Sequence, residues 1–357
     1  MSKIVTQDKL NELTGKNIDY GKGGGYCPHY QTIVSLWGSV VASSNYQPNQ
    51  LVKEEDIVVD KDLFLINAET GSLYFAGGGT YAQIPAIDGH EDFMYIAGGG
   101  EAIGALSMLG GLYVVNQSTK QWELKYKDTA RTYGYAHLAR FSTGWVFYKG
   151  ARGDGKNYVI IVYDNGTTKE LSVVSNVYSI STGPYNYCCV GASYQGGARI
   201  YTFLATSVPD SLTYYTPGMF TPNAVIQGDY ASPRGIVYST TSNYTYFSAN
   251  PTGTQWTAAT TRPQLTALTK GLYANAEFML IGGNMKSVST DGGQNWTTST
   301  LGAYTLTDLI YVDSNWYAIG SNGTKRLLLQ NTASTFDQSN KILDLPDYSR
   351  QVIKINV

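Results

Sequence analysis

An all-β ring of repeated antiparallel sheets, a seven-bladed β-propeller with a six-bladed ring as the alternative, is the fold this sequence predicts, on three observations. The first is a strand, turn and strand unit that returns at one spacing: Trp256, Trp296 and Phe336 stand forty residues apart, each closing a run of turn-forming residues. Repeats of about 40 to 50 residues built from short strands are the sequence signature of a propeller. The second is composition. Only 15% of the 357 residues are charged, while Gly (39) and Tyr (30) are abundant, which excludes a helical bundle and a disordered acidic chain. The third is a series of near-continuous apolar runs ending in a small residue, as expected of strands buried on both faces.

Residues 1–54 are set apart as a small, partly helical N-terminal module. Leu10 and Leu13 follow a polar start, and Gly21-Lys22-Gly23-Gly24-Gly25 breaks the pattern before it restarts. Val5, Pro28 and Val52 head three loosely similar phrases. Residues 55–357 are then read as the propeller domain.

Extending the spacing backwards gives the anchors Leu73, Trp122, Leu171, Tyr214, Trp256, Trp296 and Phe336, with steps of 49, 49, 43, 42, 40 and 40. Seven anchors predict seven blades. The apolar runs begin at Phe93, Trp145, Tyr187, Gly235, Phe278 and Trp316. Only six are clear, so the remaining blade is expected to be assembled differently. The C-terminal Arg350–Val357 alternates like a strand and has no blade of its own. It is predicted to join the sheet containing Leu65 and Tyr74, closing the ring and removing an exposed sheet edge.

Charge and motif content narrow the chemistry. A net charge of −2 and a pI near 5.9 offer no basic field for nucleic acid. The N-terminus lacks an apolar signal core and no run of about 18 apolar residues occurs, so synthesis in a cytoplasm without membrane insertion is expected. Cys27, Cys188 and Cys189 form no spaced framework, and the adjacent pair reads as strand packing. Asp88-Gly89-His90-Glu91-Asp92 gathers acids around a histidine but reads as a polar turn before the Phe93 strand. His29 belongs to the N-terminal module, and His137, in an apolar run, reads as a core residue. Gly77-Gly78-Gly79 and Gly98-Gly99-Gly100 lack a following helix and are strand-end turns, not phosphate cradles. No catalytic, cofactor-binding or metal-ligating residue is assigned. The tyrosines carry the remaining functional signal. Those in polar contexts, Tyr133-Gly134-Tyr135, Tyr214-Tyr215 and Tyr244-Thr245-Tyr246, are suited to stack on a sugar or pack on a partner protein.

Two resemblances follow from particular residues. Ser289-Thr290-Asp291-Gly292-Gly293-Gln294-Asn295-Trp296 fits Ser-x-Asp-x-Gly-x-x-Trp, the Asp-box, which recurs in sialidases and many other propellers. In the turn Ser289 and Asp291 can accept backbone N–H bonds, Gly293 permits positive φ, and Trp296 packs back on the hairpin. The resemblance implies a propeller, with the box on its outer rim. Sialidase activity would further need an arginine triad and an early Arg-Ile-Pro phrase. The chain offers Arg131, Arg140, Arg152, Arg199, Arg234, Arg262 and Arg326, and the nearest phrase, Arg199-Ile200-Tyr201, sits mid-chain.

The phrases Cys27-Pro28-His29-Tyr30-Gln31-Thr32-Ile33 and Asn49-Gln50-Leu51-Val52-Lys53-Glu54-Glu55-Asp56-Ile57 resemble N-terminal modules on virion structural proteins of tailed bacteriophages, notably the crAss-like group. That resemblance implies a non-enzymatic structural or binding component of a virion, associated with tail, neck or fibre. Residues 1–54 would attach it to the particle, and the propeller would face other virion proteins or a host-surface glycan or receptor. Multiple copies per particle, in a symmetric oligomer, are expected, with no nucleic acid, membrane or cofactor involved. The alternative is a sialidase-like or glycan-binding propeller acting on host surface carbohydrate. The longer steps between Leu73 and Leu171 mark the expected contact region.

Overall fold

The computed structural model describes residues 63–355, apart from 78, 88–91, 100–101, 117–120, 129–133, 151–156, 174–175, 184–185, 208–211, 229–234, 239–243, 249–254 and 266. The expected module at 1–54 lies outside the described residues. Twenty-eight strands form seven four-stranded antiparallel sheets. In chain order the strands are β1 (Leu63–Ala68), β2 (Leu73–Gly77) and β3 (Thr80–Gln83); then β4 (Phe93–Gly99), β5 (Ala102–Ser107), β6 (Gly111–Val115) and β7 (Trp122–Lys127). The third sheet holds β8 (Tyr135–Phe141), β9 (Gly144–Lys149), β10 (Asn157–Tyr163) and β11 (Thr168–Val173). The fourth holds β12 (Asn176–Thr182), β13 (Tyr187–Tyr194), β14 (Gly197–Leu204) and β15 (Tyr214–Tyr215). The fifth comprises β16 (Ala224–Gln227), β17 (Gly235–Tyr238), β18 (Thr245–Ser248) and β19 (Thr257–Ala258). β20 (Lys270–Ala274), β21 (Glu277–Gly282), β22 (Met285–Ser289) and β23 (Thr297–Thr300) make the sixth; β24 (Thr305–Val312), β25 (Asn315–Ser321), β26 (Arg326–Asn331) and β27 (Lys341–Leu345) make the seventh. β28 (Ser349–Ile355) returns to the first sheet, whose order is β28-β1-β2-β3.

Each sheet is a meander, so its first strand sits innermost and its fourth outermost. The second strands carry the core because both of their faces are covered. β1 is buried at every position, and so are Phe278–Gly282 of β21. Side chains alternate along such a strand, one set facing each neighbouring sheet. Leu63 and Leu65 pack toward the second sheet, against Ile96 and Ile103; Phe64 and Ile66 pack toward the seventh, against Tyr317 and Ile319. The adjacent Cys188 and Cys189 split in the same way, Cys188 facing Val159 and Ile161 of the third sheet and Cys189 facing Val225 of the fifth. Seven such apolar interfaces, one between each pair of neighbours, close the circle.

β28 closes the ring by pairing antiparallel with β1, Leu65 opposite Ile353 and Ile66 opposite Val352. The chain's last strand therefore completes its first sheet, as the alternation of Arg350–Val357 predicts. Innermost strands would otherwise present bare edges, and side chains cover them. Ser179 and Ser181 Oγ of β12 accept the backbone N–H groups of Val225 and Gln227 on β16. Asp308 Oδ2 of β24 accepts the N–H of Val352 at 2.8 Å, and Gln351 Oε1 of β28 accepts that of Ile96 on β4 at 3.1 Å.

Two sequence assignments shift by one strand. Leu73 opens β2, the third strand of its sheet, whereas Trp122 opens a fourth strand and Trp256, Trp296 and Phe336 precede fourth strands. The true counterpart of those anchors lies at β3, near Tyr81, which removes the apparent 49-residue first step. The cause is that the Ala68–Gly71 turn resembles the repeat's turn while the β2–β3 connection is only a glycine hairpin. The Phe93 run is β4, an innermost strand; the second strand there is β5, whose small Gly104 and Ala105 hide it from an apolar scan. Gly104 is small because Trp145 of the next sheet lies against it: a Cβ there would come within 2.6 Å of the indole.

The Ser289–Trp296 turn joins β22 to β23 on the outer side of the sixth sheet. Gly293 N–H donates to Ser289 Oγ at 2.8 Å, and the Gln294 and Asn295 N–H groups donate to Asp291 Oδ1 at 3.1 and 2.9 Å. Trp296 Nε1 donates back to Gly293 O at 3.0 Å, and its ring is buried against the fifth sheet with Leu265 and Phe278. Gly292 and Gly293 both adopt positive φ, 78° and 94°.

Candidate functional site

In a meander the turn from second to third strand and the connection from fourth strand to the next sheet leave at the same end. That end of the ring differs from the other. Among the described residues nine large apolar side chains are exposed. Met108, Leu109 and Tyr194 sit at second-to-third-strand turns, Met219 and Tyr348 on connections between sheets, and Tyr178 near the start of an innermost strand. All six belong to this one end; Tyr81, Leu124 and Tyr214 lie on outermost strands. Leu63, the first described residue, pairs with Ile355 at the opposite end, away from these exposed apolar residues.

The densest part of this surface lies on the fourth and fifth sheets. The guanidinium of Arg199 is layered between Tyr194 and Tyr214, 4.4 and 4.3 Å from their ring centroids. Those rings remain 40% and 49% exposed, and Met219, 74% exposed, lies over the Gly196-Gly197 turn beside them. Next along the chain Phe220 stacks on Tyr246 (5.5 Å, 4° between planes) and tilts against Tyr244, over which Arg262 sits at 5.1 Å. From Leu171 to Thr269 the sequence carries eleven tyrosines but five charged residues, Arg199, Asp210, Asp229, Arg234 and Arg262. Tyr with Ser, Thr, Gly and Asn at low charge is the composition of adaptable binding surfaces, where rigid rings give area at small entropic cost.

The innermost strands add a second feature at this same end. Five of them carry a bulge within their first four residues, at Met94 in β4, His137-Leu138 in β8, Tyr178 in β12, Thr307 in β24 and Arg350 in β28. A bulge takes a residue out of the ladder and re-aims its side chain, and bulges concentrate next to binding sites. Arg350, Tyr95 and His137 form a strip across three successive innermost strands: the Arg350 guanidinium stands 5.4 Å from the Tyr95 centroid and the His137 ring 5.7 Å beyond. Nε and Nη2 of Arg350 are buried and, among the described residues, donate to no acceptor. Burial lowers the His137 imidazole to about 4, so it is neutral at physiological pH, and its φ of 60° is the left-handed conformation of the bulge.

Of the residues singled out in the sequence, Tyr214, Tyr215, Tyr244 and Tyr246 fall on or beside this surface. Tyr135 does not: it is buried and donates to Asp128 at 2.7 Å, and Asp128 pairs at 2.6 Å with the fully buried Lys149, locking the second sheet to the third. Tyr133, Asp88–Glu91, Arg131, Arg152, Arg234, His29 and Cys27 lie outside the described residues. Arg140 is taken up by Asp164, which accepts from both of its Nη groups. Burial raises the thiols of Cys188, with its neighbour Cys189 adding to the effect, and of Cys189, so both stay protonated. No group of three or more His, Cys, Asp or Glu side chains converges as a metal site requires, and no helix is long and apolar enough to cross a membrane, among the described residues. Arg350 was legible only as a strand residue, since nothing local marks a bulge; Met219 had no signal beyond standing after Pro217-Gly218.

No protein-family model matches the chain, and no curated protein matches it by sequence. Solved structures do match in fold. YCF48 bound to D1 peptide superposes with a TM-score of 0.54 at 11% identity, over 78% of this chain and 91% of that one. A Lactobacillus plantarum protein gives 0.57 at 12% identity over 82% and 99%, and a functionally unknown protein from Desulfotomaculum acetoxidans gives 0.59 at 8% over 83% and 99%. These define the class as an all-β propeller.

Proposed function

We propose that this chain is a non-enzymatic binding component of a tailed-bacteriophage virion, attached through residues 1–54 and presenting one end of its propeller to another protein. The observation that carries the binding reading is the asymmetry of the ring. Among the described residues, six of its nine exposed Met, Leu and Tyr side chains lie at the end opposite Leu63 and Ile355. Exposed apolar side chains concentrated on one end of an otherwise well-buried protein mark an interaction site. Burying it is worth roughly 25 cal/mol per Å² of apolar surface, and anchors of the Tyr, Met and Arg type concentrate that energy in a few contacts. YCF48, of like fold, was solved with a peptide bound, which supports protein binding as a use of such a ring. The virion role rests on the N-terminal phrases, and the Ser289–Trp296 turn makes a glycan-binding ring the competing reading.

The test follows particle incorporation of three forms: the full chain, a deletion of residues 1–54, and Met108→Asp/Tyr194→Asp/Met219→Asp. The deletion should fold yet be lost from particles, while the triple variant should be incorporated and lose its partner. Incorporation that ignores the deletion contradicts the attachment role. Turnover of a sialoside or other glycoside by the isolated ring, abolished by an arginine substitution, contradicts the non-enzymatic reading.

A further inference from the structure

Resting on the reading of this end as a protein-docking face, we infer that Arg350 at the mouth of the ring is a carboxylate-binding residue that receives an acidic group of the docked partner. Three observations meet there. The bulge at Arg350 removes it from pairing with β1, where Ala68 faces Ser349 and Asn67 faces Gln351, and so frees its side chain from the register of the closing strand. Its guanidinium carbon stands 5.4 Å over the Tyr95 ring centroid, a cation–π contact that uses no donor. The edge formed by Nε and Nη2 donates to nothing among the described residues, although both atoms are buried. Buried charged donors are normally satisfied, and the Nε/Nη2 edge is one that takes a carboxylate bidentately.

The contrast with the other described arginines is informative. Arg140 already holds the Asp164 carboxylate through its two Nη groups, Arg199 is layered between two tyrosines, Arg262 stands exposed over Tyr244, and Arg326 opens β26, a third strand. Arg350 alone joins a position on an innermost strand to an unused fork. As a whole the residue is only half-buried, so part of the side chain opens on the ring's mouth and the fork need only turn outward to meet an entering group. Phosphate would also suit a guanidinium, but the single planar edge beside the Tyr95 ring fits a carboxylate carried on an apolar peptide segment.

The experiment titrates the full chain with N-acetylglutamic acid α-amide, which carries only a side-chain carboxylate, with N-acetylalanine, which carries only a terminal one, and with propionamide as the neutral control. The Nε–H resonance of Arg350 and the thermal midpoint are followed. A saturable shift with at least one of the two acids and none with propionamide is expected, and the stronger acid tells whether a side chain or a chain terminus is received. Arg350→Gln should weaken binding of that acid at least tenfold, Arg350→Lys should weaken it less, and Arg326→Gln, on β26, should leave it unchanged. Arg350→Gln should also keep or raise the melting temperature in the absence of acid, because it removes unsatisfied buried donors; a purely structural arginine would lower it. Absence of a saturable shift in the unmodified chain, or equal binding by Arg350→Gln, overturns the site. If that happens while Met219→Asp still blocks partner docking, the carboxylate site falls and the docking face stands; intact acid binding with docking indifferent to Met219→Asp has the reverse meaning.

Discussion

At the scale of single residues, the best-defined local device is the Ser289–Trp296 turn, and it is structural. Burial alone would raise the Asp291 carboxyl, but hydrogen bonds from Asn295 N–H and Nδ2, from Ser289 Oγ and from Gln294 N–H outweigh it and hold the group below the ordinary carboxylate range. A carboxyl depressed on folding adds stability above its unfolded value, and that stability is lost as pH falls through the folded value. Asp291→Ala should therefore cost on the order of 1 kcal/mol at neutral pH. The gap between variant and parent should close in chemical denaturation below about pH 4, near the unfolded Asp value. His137 responds to acid in the same direction, although here folding disfavours the charged form instead of favouring it. Its imidazole is lowered to about 4, so between an unfolded value near 6.5 and that pH the unfolded chain takes up a proton that the folded ring refuses. Stability should fall across this window by at most about 3 kcal/mol, less for a half-buried ring facing Tyr95 and, beyond it, the Arg350 cation. His137→Asn, which tolerates the positive φ and does not titrate, should flatten that slope.

At the scale of elements, the innermost strands depend on their neighbours' side chains as much as on their own ladders. Asp308 accepts from Val352 N–H on β28 and from Leu309 N–H, and pairs with Lys270 on β20. One carboxylate thus ties three innermost strands together. Asp308→Ala leaves buried donors unmet and should cost roughly 2–4 kcal/mol, measured by denaturant unfolding. The anchors of the forty-residue spacing have an equally physical reason to be visible. Trp122, Trp256, Trp296 and Phe336 each stand at the turn into a fourth strand and plug the interface with the preceding sheet. A residue type repeated for one packing reason is legible in sequence. Leu171 instead faces the following sheet and Tyr214 is exposed, so the regularity fades in the middle of the chain. The bulges left no mark at all, because one extra residue in a strand changes register without changing composition. That is why Arg350 could be placed on a closing strand and not at a site. The Tyr214 and Tyr244 stretches were legible as binding candidates from polar context, but their closeness to Met219 and Phe220 on neighbouring sheets is a property of topology.

At the scale of the whole molecule, closure is the property on which the rest depends. β28 supplies the innermost strand of the first sheet from the far end of the sequence, and its Val352, Ile353 and Ile355 complete the apolar interfaces on both sides. A chain ending before Ser349 should lose one cooperative unfolding transition in calorimetry, not merely shift it, because two of the seven interfaces are opened together. A single sharp transition retained by that truncation would show that closure is dispensable. Closure also fixes the molecule's polarity, since it places Leu63 and Ile355 at one end and Met108, Leu109, Tyr178, Tyr194, Met219 and Tyr348 at the other.

That polarity is the central claim, and site-specific photo-cross-linking addresses it directly. A photoreactive phenylalanine analogue is placed at Met219 on the apolar end or at Thr143, an exposed turn at the opposite end, in particles assembled with the full chain. The account predicts that Met219 captures a defined second protein and that Thr143 does not capture that protein. Equal capture from both positions, or none from Met219, would contradict it.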